Sequence, residues 1–302
     1  MASYSRGIRT EPSAATHAEN QRNMERAVFN SEGLDIYGVL READGPKTTA
    51  IVFCHGAFEF QDNWFAYAER LNSEGFTTFT FDFAGHGDSE GLRGLVNLRV
   101  WAYNIRDALN YLQTRGYRRF ALVGWGSGGS AALLAAAHDP RLSCAVILSA
   151  PVYLLPPLPE RIAYGLVALA AKIKKAIFKR PLTLSRLNEL AEMRMLSDGG
   201  ANERYLSNPK VREIYQAVPI PDSLDSVWID ITLAAKKVNI PVLVMHGSED
   251  KIIPVDQSQK LYDLLSGEKE LKLLQGCGHA VHLDREKDAV YGMISGWVRD
   301  HL

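Results

Sequence analysis

The stretch that decides the fold is ALVGWGSGG, from Ala121 to Gly129, in which an apolar run leads directly into glycines and then into the helix pattern SAALLAAAH. A strand that turns sharply into a helix favours glycine, because glycine adopts backbone conformations that other residues avoid. Two interpretations are open. Gly124, Gly126 and Gly129 spell G-x-G-x-x-G, the dinucleotide-binding fingerprint. The same string fits a nucleophile elbow, G-x-Nuc-x-G, with Gly126 at the nucleophile position.

Short apolar runs alternate with helix patterns on both sides of this stretch. The predicted strands are Thr49–Cys54, Thr77–Phe83, Phe120–Gly124, Ser143–Leu148, Pro241–Met245 and Leu271–Leu274, and the helices between them include Phe65–Ser73 and Val100–Thr114. Strands that are apolar on both faces indicate a parallel sheet covered on both sides. We therefore predict an α/β fold with a mostly parallel, doubly wound sheet of about eight strands. The more alternating Glu25–Val39 predicts an antiparallel hairpin at one edge.

The rhythm of strands and helices stops between Pro151 and Lys237, where no strand-like run occurs. We interpret residues 151–237 as an inserted helical cap. It divides one core domain into a first part, residues 26–150, and a second part, residues 238–302. The polar residues 1–25 are expected to form a flexible tail.

The composition excludes several classes of protein. The chain has 302 residues, 46% of them hydrophobic, and a formal net charge of −1, so no global field favours nucleic acid as a partner. The cysteines Cys54, Cys144 and Cys277 are too few for a disulfide framework, and we expect a reducing, cytoplasmic location. The N-terminal residues lack the apolar core of a signal peptide. No run reaches the ~18 uninterrupted apolar residues of a membrane span.

Two more predicted strands end in residues that suit a binding site, and ligands of open parallel sheets bind at the carboxyl ends of strands. FCHGAFEF, from Phe53 to Phe60, is either a plain strand–loop junction or a turn that presents the N–H of Ala57 to an oxyanion. DFAGHGDSEG follows the next strand. We expect its Asp82, His86 and Ser89 to brace the site through bonds to the backbone rather than to react.

An acid and a histidine follow the last two predicted strands. MHGSEDKIIP carries Asp250, and LLQGCGHAVHLD carries His279 directly after Gly278. His282 lies in the same loop, but it lacks the preceding glycine and is the poorer candidate. Nucleophile, acid and base in this chain order are typical of one kind of catalytic triad. The dinucleotide interpretation instead needs an acidic residue about 20 positions after the glycines, where the chain reads LSAP, and it leaves the other motifs unexplained.

The segments HGAF, DFAGHGDSEG, GWGSGG, GSEDKIIP and GCGH resemble the consecutive signature segments of α/β-hydrolases. The pattern is most similar to the monoacylglycerol-lipase and lysophospholipase-like subgroup, and the match runs from about Val28 to Leu302. The resemblance implies Asp250 as the triad acid and His279 as the triad base. It also implies that the backbone N–H groups of Ala57 and Ser127 form the oxyanion hole. The elbow of that subgroup typically reads G-H-S-M-G-G, and its nucleophilic serine aligns with Gly126.

The resemblance implies an α/β-hydrolase fold and a small-molecule acyl ester or lipid-like ligand, with no cofactor and no metal. We expect the ligand to contact five side chains: Phe58, Trp125, Tyr153, Leu166 and Ile252. No oligomeric state is indicated.

Gly126 changes the expected activity. A serine esterase works because a base-activated hydroxyl attacks the carbonyl and forms an acyl-enzyme, and glycine offers no hydroxyl. Ser127 is a poor substitute, because sliding the elbow by one residue places Trp125 in a flanking position that needs a small residue; Cys54 and Cys277 are poorer still. We therefore predict an esterase or lipase scaffold that is inactive or nearly so. Whether Gly126 is natural or introduced stays open.

Three other functions stay open beside this one. In the first, the chain is a non-catalytic acyl-ligand-binding protein. In the second, it is an NAD(P)-dependent oxidoreductase built on Gly124, Gly126 and Gly129. In the third, it is a slow hydrolase in which His279 activates water directly. Each makes a different prediction for ligand binding and turnover.

The cap also carries an apolar stripe with a basic end. The stripe consists of Ile162, Leu166, Leu169, Ile173 and Ile177, and the basic end of Lys172, Lys174, Lys175, Lys179 and Arg180. Two interpretations are open: a helix whose stripe packs on the core, or a lid over an acyl-chain tunnel that makes transient contact with anionic membrane surfaces.

Overall fold

The computed structural model describes residues 24–220 and 228–302. The predicted tail, except for Met24 and Glu25, therefore lies outside the described residues. The described chain begins with the predicted hairpin, in which β1 (Met24–Ser31) pairs antiparallel with β2 (Leu34–Arg41).

The first part of the core alternates strands and helices, as the apolar runs predict. Its elements are β3 (Thr49–Cys54), a 3-10 turn (Gln61–Trp64), α1 (Phe65–Ser73), β4 (Thr78–Phe81), α2 (Leu98–Thr114), β5 (Arg119–Trp125), α3 (Ser127–Ala136) and β6 (Leu142–Leu148). After β6 the chain leaves the sheet.

The segment that follows β6 contains the predicted helices and also short strands. Its elements are β7 (Tyr153–Leu154), α4 (Leu158–Phe178), β8 (Leu182–Leu184), α5 (Leu187–Glu192), α6 (Gly199–Leu206), α7 (Pro209–Gln216), β9 (Val218–Ile220), β10 (Ile229–Asp230) and α8 (Thr232–Ala235). The chain then returns to the core with β11 (Val242–Gly247), α9 (Asp256–Leu264), β12 (Lys269–Leu274) and α10 (Lys287–His301).

The central sheet has eight strands in the order β1-β2-β4-β3-β5-β6-β11-β12. β2 pairs antiparallel with β4, whereas the pairs from β4 to β12 are parallel. The central strands β3 and β4 are buried along nearly their whole length, as expected for a sheet with helices on both faces. The parallel pairing brings the carboxyl ends of β3, β5, β11 and β12 to one edge, where the predicted site residues meet.

The expectation that the cap holds no strands is wrong. Within the described residues, β7 pairs with β10 and β8 pairs with β9, both antiparallel. These strands have two or three residues each, and β9 contains Pro219. So short a strand shows no measurable alternation, and proline removes one donor from the ladder. The strands therefore left no recognisable signal in the sequence.

The apolar stripe of the cap does not pack on the core. Helix α4 buries only Ala171. The stripe residues are exposed by more than half of their surface: Ile162 59%, Leu166 65%, Leu169 57%, Ile173 53% and Ile177 65%. This excludes the interpretation of the stripe as a core contact. In the described part of the chain, no helix is both long enough and apolar enough to span a membrane.

Candidate active site

The turn between β5 and α3 has the geometry of a nucleophile elbow. β5 ends at Trp125, α3 begins at Ser127, and Gly126 between them has φ 56° and ψ −129°. A positive φ strains residues with a Cβ, whereas glycine adopts it without steric cost. The single residue at the tip of the turn therefore has the backbone conformation that nucleophiles of this kind occupy, and as glycine it adopts that conformation without strain.

The flanking glycines fix the register of this elbow. A Cβ at Gly124 would lie 2.7 Å from the Cα of Gly129, and a Cβ at Gly128 would lie 2.1 Å from the carbonyl oxygen of His55. Neither position accepts a larger residue without a backbone shift. Because the flanking pair is Gly124 and Gly128, the residue presented to the site is Gly126 rather than Ser127.

The tip of the elbow faces an imidazole. A Cβ at Gly126 would lie 3.5 Å from Nε2 of His279 and 3.8 Å from the Cα of Gly56, both ordinary van der Waals distances. A small side chain therefore fits at position 126, and its next atom would lie within reach of His279.

His279 and Asp250 form the remaining pair of the predicted triad. Nδ1 of His279 lies 2.7 Å from Oδ2 of Asp250. Since a carboxylate only accepts, Nδ1 carries the proton, and the Nε2 of the neutral ring is left free to act as a base toward position 126. The indole N–H of Trp125 donates to the carbonyl oxygen of His279 at 3.1 Å. His279 is thus held through both its ring and its backbone.

The Asp250 carboxylate is held in its charged form. Burial alone would raise its pKa, but the charge of His279 and hydrogen bonds from His246, His279 and the backbone N–H of Ile253 together lower the pKa below its usual range. Its Oδ1 accepts the N–H groups of Ile252 at 2.8 Å and Ile253 at 2.9 Å. Asp250 is therefore suited to orient His279 and stabilise its protonated form.

His246 is a site residue that sequence reasoning missed. It is buried in β11, and its Nε2 lies 3.0 Å from Oδ2 of Asp250, while its Nδ1 contacts Oγ of Ser258 at 2.6 Å. Asp250 thus lies between two imidazoles. The one available signal was the position of His246 in the MHG that ends the strand before Asp250.

His282 lies apart from the predicted pair. Its ring stacks on Trp64 at 4.2 Å and meets Trp125 edge-on at 4.7 Å. In residues 24–220 and 228–302, neither of its ring nitrogens has a hydrogen-bond partner. Burial, followed by the charge of nearby His279, lowers the pKa of His282 to about 3. It is a neutral packing residue, in agreement with its lower rank.

The predicted oxyanion donors Ala57 and Ser127 both line the cavity over the elbow. Ser127 is the first residue of α3, so its N–H has no partner within the helix. Within the described residues, its hydroxyl makes no hydrogen bond to His279. Burial raises the pKa of the Cys54 and Cys277 thiols, so neither is an activated nucleophile.

The loop after β4 is hydrogen-bonded to residues 55–61, which we call the oxyanion loop because they include the predicted donor Ala57. The Asp82 carboxylate accepts the backbone N–H of Gln61 at 2.8 Å and its side-chain amide at 2.9 Å. Ser89 donates to the carbonyl oxygen of Asp82 at 2.7 Å. His86 makes a local contact to Ala84. The end of the oxyanion loop, at Gln61, is therefore held by the loop after β4.

A cavity of about 110 Å³ lies over Gly126 and His279. The predicted ligand contacts Phe58, Trp125 and Ile252 line it, whereas Tyr153 and Leu166 do not. Tyr153 lies in β7 and is 40% exposed, and Leu166 projects from the exposed side of α4. The cap residues Arg186, Met193, Met195 and Tyr215 line it instead, so Tyr153 and Leu166 stay predicted ligand contacts that lie outside this cavity.

The cap also contacts the oxyanion loop, at Phe58. Phe58 has φ 62°, which is rare for a residue with a side chain, and its ring packs on Tyr215 of α7 with centroids 5.0 Å apart. The guanidinium of Arg186 lies 5.7 Å from the same ring. Contacts with the cap therefore offset the strain of a conformation that glycine would adopt freely.

Glu59 is a second residue that sequence reasoning missed. It is fully buried, accepts the hydroxyl of Tyr205 from α6, and accepts the side-chain amide of Asn63 at 2.8 Å. Burial raises the pKa of Glu59 to about 8, although both hydrogen bonds oppose the shift. A buried acid thus joins the oxyanion loop to the cap.

The sheet order, the elbow and the Asp250–His279 pair are typical of an α/β hydrolase, and position 126 carries no side chain. The family model for serine aminopeptidase S33 matches residues 45–286. The chain therefore belongs to that family of α/β hydrolases. Monoglyceride lipases are among the proteins to which it is similar.

Similar proteins extend over nearly the whole chain. A monoglyceride lipase of Mus musculus is 27% identical over 286 residues, covering 91% of this chain and 90% of the relative. A monoacylglycerol lipase of Mycolicibacterium smegmatis is 26% identical over 272 residues, covering 88% and 93%. The crystal structure of the Paleococcus ferrophilus monoacylglycerol lipase superposes with a TM-score of 0.67 at 21% identity, covering 92% and 99%, and supports the fold.

Proposed function

We propose that this chain binds acyl esters in the manner of a monoacylglycerol lipase and forms no acyl-enzyme. The observation that carries the proposal is the distance of 3.5 Å between Nε2 of His279 and the position of a Cβ at residue 126. The base, its carboxylate and the oxyanion donors surround a position from which only the attacking group is missing. Loss of the nucleophile in a serine protease lowers kcat about a million-fold, so hydrolysis is expected to be negligible.

The test restores the nucleophile. Short and medium acyl p-nitrophenyl esters are assayed with the unaltered chain, with Gly126→Ser and with the double variant Gly126→Ser/His279→Ala. We expect no turnover above buffer for the unaltered chain, clear turnover for the serine variant, and a loss of about 1,000-fold or more when His279 is also removed. If neither the unaltered chain nor Gly126→Ser cleaves any ester, the esterase assignment fails.

Two alternatives predict other results in the same assay. A binding protein that never was an esterase gains no activity with Gly126→Ser but retains ligand affinity. Direct hydrolysis by a water held at His279 gives slow turnover in the unaltered chain, without a burst of released alcohol, and Ser127→Ala leaves that turnover unchanged. Loss of such turnover in Ser127→Ala would instead make Ser127 the nucleophile.

The NAD(P)-dependent alternative receives little support. Gly124 and Gly129 lie against each other in the elbow, and the imidazole of His279 lies over Gly126, where a pyrophosphate would need space. β6 ends at Leu148 and is followed by serine, alanine and proline rather than an acid. Binding of a nicotinamide cofactor in calorimetry would reverse this view.

A transient contact with anionic membranes is a second part of the proposal. The exposed apolar stripe of α4 lies beside the cations Lys172, Lys174, Lys179 and Arg180, an arrangement that suits a helix lying in a charged lipid interface. Leu166→Glu is expected to reduce co-sedimentation with vesicles that contain phosphatidylserine, whereas Leu273→Glu, on the exposed side of β12, is not. Equal loss in both variants would contradict a specific role of α4.

The proposed location is cytoplasmic. All three cysteines are free and buried, which suits a reducing compartment. Secretion into the medium or periplasm during fractionation of the source cells would contradict it.

A further inference from the structure

One arginine lies in the wall of the cavity over the elbow. Arg186 immediately precedes α5, and its backbone N–H donates to the carbonyl oxygen of Tyr215 at 2.7 Å. Among the described residues that line the cavity, only Arg186 and His279 can carry a positive charge; the wall around them is formed largely by Met193, Met195, Tyr215, Ile229, Ile252 and Ile253.

The Arg186 guanidinium lies beside the loop that carries the predicted oxyanion donor Ala57. Its guanidinium lies 5.7 Å from the ring of Phe58, the residue after the oxyanion donor Ala57. The Arg186 side chain is 22% exposed. It is therefore on the oxyanion-loop side of the cavity, one side chain away from the position of the ester carbonyl.

The ion pair that Arg186 makes does not neutralise it within the cavity. Nε and Nη2 both donate to Oε2 of Glu189, with Nε at 2.8 Å, and the Glu189 side chain is 55% exposed. Ion pairs with so exposed a partner contribute little and are screened by salt. Because a guanidinium has five N–H donors, the pair with Glu189 orients the group and leaves donors for a second carboxylate.

We propose that Arg186 selects acyl esters that carry a carboxylate at the end remote from the ester, such as half-esters of dicarboxylic acids. This inference rests on the proposed function, since it places the ester carbonyl at Gly126 and Ala57. A carboxylate entering the cavity loses water, and the planar fork of arginine replaces that water with paired, charge-assisted hydrogen bonds. A neutral ester of the same length gains nothing from the cation.

The test uses calorimetry on the unaltered chain, which binds without turning over. Monomethyl half-esters of dicarboxylic acids with four to eight carbons are compared with neutral methyl esters of equal length. We expect at least one half-ester to bind about tenfold or more tighter than its neutral match. Arg186→Gln is expected to abolish the difference between half-ester and neutral ester, whatever its effect on neutral esters alone, and Arg186→Lys to restore part of that difference. Glu189→Gln, which removes a competing carboxylate, is expected to retain or increase it.

The outcomes separate this inference from the proposed function. Equal binding of half-esters and neutral esters, with turnover of neutral esters by Gly126→Ser, would overturn the role of Arg186 and keep the esterase scaffold. Binding of neither class, with no turnover by Gly126→Ser, would overturn the proposed function itself. Tighter binding of an ester bearing a phosphate monoester than of any half-ester would replace the carboxylate in this proposal and thereby overturn it.

Discussion

The elbow and the oxyanion loop are neighbouring turns, and each contains a residue with a positive φ. The strain of that conformation is avoided at the elbow and is offset by packing in the loop. At the elbow, Gly126 has φ 56° and no side chain, so the conformation costs little. In the oxyanion loop, Phe58 has φ 62° and keeps its ring, which packs on Tyr215 and under Arg186. The conformation at the elbow therefore needs no contact with the cap, whereas the conformation at Phe58 is supported by cap residues.

The largest expected effect comes from the glycine that flanks the elbow. A Cβ at Gly128 would lie 2.1 Å from the carbonyl oxygen of His55 and 2.8 Å from that of Cys54. Because both contacts are with backbone, Gly128→Ala is expected to lower the free energy of unfolding by about 3 kcal/mol or more. Chemical denaturation measures it. A loss no larger than that of Gly165→Ala, a change on α4 where the added Cβ meets nothing, would mean that the elbow is not tightly packed.

The next effect is a pH dependence of stability that arises in the oxyanion loop. The pKa of Glu59 is raised to about 8 in the folded protein, from an ordinary carboxyl value when unfolded. The folded state therefore binds more protons, and the stability contributed by this group is full below about pH 4 and is lost as the pH rises through about 8. We expect this group to contribute a fall of a few kcal/mol across that window, since each pH unit between the two pKa values costs about 1.4 kcal/mol.

The control for this effect is Glu59→Gln, which keeps the shape and cannot ionise. Melting temperatures of the two proteins are compared between pH 5 and pH 9. The glutamine variant should lose less stability on going to high pH than the unaltered chain. Parallel curves would show that Glu59 does not titrate in this range and that the cap holds the loop by packing alone.

A smaller effect separates strain from packing at Phe58. Phe58→Ala and Phe58→Gly both remove the ring, but only glycine adopts the observed φ freely. We expect the glycine variant to be the more stable of the two by about 1.5 kcal/mol, the reverse of the usual order of glycine and alanine. Calorimetric melting of both variants measures the difference. Greater stability of the alanine variant would show that the loop relaxes once the ring is gone.

The positions of the predicted triad residues can be read from the sequence because each of them follows a strand. Buried strands with glycine after them predict the sheet, and parallel pairing then brings Gly126, Asp250 and His279 to one edge. The distance of 2.7 Å between His279 and Asp250 follows from this local pattern. Here short-range signals were sufficient.

The cap and the walls of the site could not be predicted in the same way. The ligand contacts predicted for Tyr153 and Leu166 depend on which side of the cap faces the elbow, and that side is set by contacts between distant segments. Glu59 and Arg186 acquire their roles through Tyr205 and Phe58, residues far away in sequence. Neither the FEF around Glu59 nor the LSR that ends at Arg186 is a sequence pattern that predicts such a partner.

The smallest expected effect, and the one that bears most directly on the comparison, is the stability cost of restoring serine at the elbow. At Gly126 a new Cβ meets nothing closer than 3.5 Å, so packing adds no penalty and only the positive φ counts. Gly126→Ser is therefore expected to be less stable by about 1 kcal/mol, while it gains hydrolytic activity. Thermal melting of the two proteins, with Gly126→Ala to separate the hydroxyl from the Cβ, measures this cost. If the serine variant melts at the same or a higher temperature, the elbow is not strained by a side chain, and the opposite behaviour of the two turns no longer holds.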